Sequence, residues 1–228
     1  MFSAEEWTAI QLSLKVGGIA TVVAVPFAVA VAWVLARRDF WGKSLVDGVV
    51  HLPLVLPPVV TGYALLLLFG RRGVFGAFLA DHLGLVFSFR WTGAALAAGV
   101  MGFPLMVRAI RLSIEAIDVR VEQAAATLGA PPLWVFATVT LPLAMRGIVA
   151  GAVLAFAKAL GEFGATITFV SNIPGQTQTI PSAIYALTQT PGGEAGALKL
   201  SLVAAAIALG ALVISEVAVR RARRGAAA

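Results

Sequence analysis

Five long, apolar stretches with almost no charge limit what this chain can fold into more than any other feature. They cover residues 16–36, 48–69, 91–107, 147–157 (continuing past Lys158 and Glu162 to 170) and 200–214. A helix rising about 1.5 Å per residue needs roughly 17–25 such residues to cross ~30 Å of hydrocarbon, so each stretch can supply one span. Composition agrees: 60% of residues are hydrophobic and 12% charged, against roughly 45–50% and 25% in soluble domains. The expected fold class is an all-α integral membrane protein, a bundle of five transmembrane helices with six as the alternative. One domain, 8–220, is followed by a short basic tail, 221–228, expected to rest near anionic headgroups.

Glu5 and Glu6 precede the first apolar run, and no Lys or Arg comes before Lys15. That is the reverse of a secretory signal peptide, so the first span is expected to stay in the mature protein. The chain has no cysteine, which excludes disulfides and thiolate metal sites; no metal site is expected.

The net charge of +6 is informative only by position. With the N-terminus outside, the inner segments hold Arg37, Arg38, Lys43, Arg108, Arg111, Arg120, Arg146, Arg220, Arg221, Arg223 and Arg224. The minority, Lys15, Arg71, Arg72, Arg90, Lys158 and Lys199, lies elsewhere. This asymmetry predicts an outer N-terminus, an inner C-terminus, and a cytoplasmic position for residues 121–142. No basic and aromatic cluster stands outside these flanks, so nucleic acid is not an expected partner.

Residues 121–142, VEQAAATLGAPPLWVFATVTLP, are too polar to cross a membrane and too apolar to be disordered. Ile114, Ile117, Val121, Ala124 or Ala125, and Leu128 recur at helical spacing and predict one apolar stripe on a helix. Gly129 ends that helix, and Pro131 and Pro132 prevent its return. A second short helix is expected over 133–140, closed by Pro142. Such a pair either packs on its own spans or lays its apolar face in a groove of a partner protein.

The stretch resembles the cytoplasmic loop of ABC importer permeases: Glu-Ala-Ala, three residues, Gly, nine residues, Ile, one residue, Leu-Pro. Aligned on Gly129, this chain supplies Gln123, Ala124 and Ala125, then Val139, Leu141 and Pro142. Gln123 stands where Glu is usual, Glu122 lies one residue earlier, and Val139 replaces Ile. The resemblance implies a helix that docks into a cleft of a separate ATPase subunit, with Ala124, Ala125 and Gly129 as contact or shape residues and none of them catalytic. ATP and Mg would be used by that partner, with no cofactor in this chain. The chain's own Gly42-Lys43-Ser44 is not a phosphate loop, because the Gly required five positions earlier is Arg37.

The segment GEFGATITFVSNIPGQTQTIPSAIYALTQTPGG, 161–193, has no charge between Glu162 and Glu194, yet twelve Ser, Thr, Asn or Gln side chains lie from Thr166 to Thr190. Neutral donors suit an anion that must be held weakly and released; the plainer reading is a polar external loop. Pro181, near the start of an apolar helix, suggests a segment that dips back toward the membrane. This string and HLPLVLPPVVTGY, 51–63, are similar to the matching parts of bacterial molybdate importer permeases, and the similarity runs over 7–220. Sulfate and thiosulfate permeases share Gly-Glu-Phe-Gly and Asn-Ile-Pro; TIPSAIYALTQTPGG tips the choice to molybdate, with tungstate of nearly the same size and charge.

Pro53, Pro57 and Pro58 remove backbone donors inside the second stretch, so that helix should bend or break, and broken helices line cavities more often than lipid. Candidate path residues are Pro57, Pro58, Thr61, Tyr63, Glu162, Thr166, Thr168, Ser171 and Asn172. His51 reads as a packed or interfacial residue, and Pro26 and Pro104 as single kinks. Lys158 and Glu162 should pair on one face of the fourth span, where pairing lowers the cost of a mid-bilayer charge. Gly147 and Gly151 form a small-residue face for close helix packing.

Five spans enclose a path poorly, so a symmetric homodimer is expected. The resemblance adds two ATPase copies and an extracytoplasmic molybdate-binding protein, in the bacterial inner membrane and its lipid. The implied fold is that of type I ABC importer permeases, and the implied function is ATP-driven import by alternating access. A gradient-driven transporter would need an acidic coupling site, for which Glu162 alone stands in the spans. A scaffold without transport leaves the Pro-rich second span unexplained.

Overall fold

The computed structural model describes residues 2–225, and the regular elements among them are all helices. Helix α1, Ala4–Arg37, opens on a reciprocal cap: the Ser3 hydroxyl accepts from the Glu6 amide, and the Glu6 carboxylate accepts from the Ser3 amide. It runs through Pro26 without interruption. Helices α2, Lys43–Val55, and α3, Pro58–Phe69, are together apolar and long enough for one span and meet at a bend of 115°. Pro57 and Pro58 stand at that break, where neither can donate, and Pro58 is preorganised for the first turn of the new helix.

A short helix α4, Val74–Leu83, folds back on the end of α3, and α5, Trp91–Glu115, recrosses the bundle through Pro104. Helices α6, Val119–Thr127, and α7, Pro132–Val135, form the loop that leads into α8, Leu141–Leu160. Beyond lie α9, Gly164–Val170, α10, Ile180–Thr188, and α11, Glu194–Gly225. Among the described residues four helices are long and apolar enough to cross a membrane, or five where the bent pair is counted as one span. The basic residues of 221–225 belong to α11, and 226–228 lie outside the described residues.

Alanine and glycine set the packing. Helix α5 sits between α1 and α8, and its buried face is Ala94, Ala95, Ala97, Ala98 and Met101, then Met106, Val107, Ile110 and Ile114. Small side chains let helix backbones approach closely where lipid supplies no hydrophobic drive. Gly151 and Gly147 of α8 face Met106 and Ser113 of α5, so the small-residue face packs within the chain.

Three expectations are corrected. The helix expected to run on from Ile114 breaks at 116–118, where Asp118 caps a new helix by accepting from the Arg120 amide at 2.9 Å. Ile114 is consequently buried in the core while Leu128 is exposed, and the stripe does not exist as one face. The second short helix does not close at Pro142: α7 continues through a widened turn, Phe136–Thr140, into α8, giving one span Pro132–Leu160. In that turn the Leu141 amide bonds Phe136 O, and the i−5 register accommodates the donor that Pro142 lacks. The fourth span ends at Leu160 rather than 170, because the chain turns at 161–163 and α9 packs instead along α3.

Candidate functional site

Two regions carry the sequence-derived candidates. The first is the loop 116–142. Glu122, in the first turn of α6, is half-buried and fixes that helix to two others. Its Oε2 lies 2.9 Å from Nε of Arg37 at the end of α1, an ion pair without hydrogen-bond alignment at that nitrogen. Its Oε1 accepts from the buried Thr140 hydroxyl at 2.6 Å. Arg37 also donates to Ile117 O at 3.1 Å, across the break before α6. Edge-to-face packing of Trp33 on Phe136, centroids 5.4 Å apart, holds the α8 entrance against α1.

Gln123, aligned with the usual Glu, is exposed, and Glu122 is the residue that makes the buried contacts. Ala124 is exposed, Ala125 half-buried, Val139 and Leu141 half-buried, and Pro142 exposed. Gly129 has φ +87 with open space where a Cβ would stand, so backbone conformation rather than crowding calls for glycine. Around it Leu128, Leu133 and Trp134 are 90%, 80% and 63% exposed. The loop thus has apolar side chains turned outward and its carboxylate turned inward against α1 and α8.

The second region is the seam between α3 and α9. A Cβ at Gly62 would lie 2.5 Å from Ala165 O and 2.9 Å from Thr168 Cβ, and one at Gly164 2.8 Å from Pro58 Cβ, so the two backbones touch. This brings Pro58 and Thr168 to one seam, and Thr61 and Thr166, in the same two helices, are buried. Thr61 Oγ1 is buried without a hydrogen-bond partner, while the Thr168 hydroxyl is taken up by Gly164 O at 2.8 Å. Pro57, just before α3, and Tyr63 are exposed.

Glu162 is 2% exposed and is a pin: Oε2 meets Lys158 Nζ at 2.6 Å, and Oε1 accepts from the Ala165 amide at 3.0 Å at the start of α9. The expected pair forms, although Glu162 stands past the end of α8.

Much of the polar segment holds itself together. Thr177, fully buried, accepts from the Ile173 amide at 2.9 Å and donates to Ser171 O at 3.1 Å. The Ser182 hydroxyl donates to Thr179 O, and the Ile180 amide donates to Ser13 of α1 at 2.7 Å. Ser171 is held at φ +64, ψ −169, a region that costs a non-glycine residue about 1–3 kcal/mol. Beside it Asn172 Oδ1 is buried without a partner. Sequence reading missed Asp118, Thr140 and the strain at Ser171. The pattern Asp-x-x-x before a helical run could have found the first; a strained serine carries no local signal. His51, read as packed or interfacial, is half-buried, its Nδ1 2.9 Å from Asp47 O one turn earlier in α2.

Known proteins share this architecture. The chain covers 96% of itself and 80% of a chain in a bacterial alginate ABC transporter complexed with its alginate-bound periplasmic protein, at TM-score 0.75 and 18% identity. A chain of an amino acid ABC transporter matches at TM-score 0.64 and 17% identity, covering 95% and 94%. In sequence, it is 61% identical over 211 residues, 92% of each chain, to the molybdenum transport system permease protein ModB of Escherichia coli (strain K12). It is 40% identical over 76% of this chain and 60% of the sulfate transport system permease protein CysW of Synechococcus elongatus. Residues 24–224 match the family model described as the binding-protein-dependent transport system inner membrane component. With that match over most of its length and several helices apolar enough to cross a membrane, this chain belongs to that family of inner-membrane transport components.

Proposed function

We propose that this chain is the permease subunit of an ATP-driven molybdate importer. The observation that carries the reading is 61% identity over 92% of the chain to a molybdenum transport permease, against 40% to a sulfate permease. Two copies form the path at their two-fold axis, since five spans with broken and exposed α3 segments leave one side open. Two copies of a separate ATPase dock on the exposed apolar face of 116–142, and an extracytoplasmic protein delivers the oxyanion to the opposite end. The N-terminus is outside and the C-terminus cytoplasmic. ATP and Mg belong to the ATPase, and this chain performs no chemistry.

In the proposed cycle, closure of the ATPases displaces α6, and Glu122 passes the displacement to α1 through Arg37 and to α8 through Thr140. The spans then rock between inward-facing and outward-facing states. Seam residues between α3 and α9 face the changing path. Glu162, Thr177 and Ser182 serve as scaffold, and Thr61, Thr166 and Asn172 remain the candidates for path polarity.

The test is uptake of labelled molybdate into proteoliposomes holding the chain, its ATPase and the binding protein. ATP-dependent uptake that excess tungstate suppresses and excess sulfate leaves intact supports the reading. Equal suppression by sulfate moves it to a general tetrahedral-oxyanion importer, and uptake without ATP overturns it.

A further inference from the structure

Six cations lie away from the 116–142 end of the bundle or within the spans, and three of them have partners. Lys15 sits 3.8 Å over the Trp91 ring, Lys158 pairs with Glu162, and Lys199 with Glu6. The side chains of Arg71, Arg72 and Arg90 make no hydrogen bond or ion pair to another described residue, and all three belong to the segment between α3 and α5. Basic residues at this end run against the charge asymmetry of the chain, so an anion should compensate them.

Arg71 and Arg72 line one open cavity of about 360 Å³ at the α3–α4 turn. Its other walls are Leu66, Leu67 and Phe89, and the buried Ser88. Ser88's hydroxyl makes no hydrogen bond within the described residues, and Phe89 is held at φ +56 with its ring exposed. The cavity is thus cationic and hydroxylic on one side and apolar on the other. A free oxyanion would gain nothing from the apolar wall; a lipid uses both.

Helix α4 supports the same ligand. At 10 residues it is too short to span, yet Val74, Phe75, Phe78 and Leu83 are exposed along it. It is pinned beside the cavity by stacking of Phe75 on Phe69, centroids 5.5 Å apart. A short apolar helix with two arginines just before its first turn has the make-up of an interfacial helix, whose cations reach phosphates while its apolar side chains enter the acyl region.

We propose that this cavity binds an anionic phospholipid, with the phosphate on Arg71, Arg72 and Ser88 and the first acyl carbons on Leu66, Leu67 and Phe89. The site is independent of the transported substrate. It is tested on the intact complex, purified from nanodiscs of phosphatidylethanolamine with phosphatidylglycerol, by native mass spectrometry of retained lipid, with phosphatidylcholine discs as reference. Arg71→Gln/Arg72→Gln should weaken phosphatidylglycerol retention by roughly thirtyfold, two surface cations' worth, and leave phosphatidylcholine retention unchanged. Leu67→Ser, at an exposed position, should weaken it to a lesser degree. Unchanged retention in the double variant overturns the site. Displacement by excess inorganic phosphate with no effect of Leu67→Ser also overturns it, assigning the arginines to a free anion.

Discussion

Arg37, the last residue of α1, and Glu122, in the first turn of α6, form a half-buried ion pair at 2.9 Å. The same carboxylate takes the Thr140 hydroxyl at the entrance to α8. One side chain thereby joins the loop to two spans, the rigid link that the proposed transmission from an ATPase requires.

Glu122→Gln keeps shape and removes the charge. It should reduce molybdate uptake by about tenfold or more while the ATPase subunits still bind. Arg37→Glu with Glu122→Arg should recover part of the loss, with a coupling of roughly 0.5–3 kcal/mol in a double-mutant cycle on thermal stability. Additive losses would mean that the contact carries no coupling.

Gly62 and Gly129 should respond differently to alanine. At Gly62 a Cβ would lie 2.5 Å from Ala165 O, so Gly62→Ala must force α3 from α9 and destabilise the chain by about 1–3 kcal/mol. Gly129 has free space and only a left-handed backbone to satisfy, so Gly129→Ala costs about 1–2 kcal/mol and Gly129→Asn less. Melting of the purified complex separates the two, since Asn at 129 should recover stability and Asn at 62 should not.

Thr177 donates one and accepts one hydrogen bond inside the 171–179 loop. Thr177→Val leaves the Ile173 amide without that partner and should cost about 1–3 kcal/mol. Equal stability in the variant would show that water replaces the hydroxyl.

Ser171 is the complementary case. Ser171→Gly removes the conformational penalty and should raise the stability of the complex by about 1 kcal/mol. If uptake falls while melting rises, the strain belongs to the working cycle; if melting does not rise, the serine side chain contributes more than its backbone costs.

The spans were legible because lipid enforces length and apolarity, and the Pro53, Pro57 and Pro58 cluster located the broken helix. Gly129 was legible because a helix end that turns left-handed selects glycine. The 116–118 break was not: Ile114 and Ile117 keep the helical period across it, and Asp118 resolves the ambiguity only through its cap. Pro142 misled because a widened turn lets a helix pass a missing donor. The polar segment misled in another way. Composition gives the number of hydroxyls at 166–190 but not their partners, and Thr168, Thr177 and Ser182 turn out to bond nearby backbone.

The most direct test of the account is ATP hydrolysis by the reconstituted complex, stimulated by molybdate-loaded binding protein, with the wild-type chain and with Gly129→Asp. The account predicts stimulation by molybdate and not by sulfate, abolished in the variant, because a carboxylate would stand on the exposed apolar face proposed to receive the ATPase. Full stimulation with Gly129→Asp would contradict it and leave 116–142 as a loop that serves only its own spans.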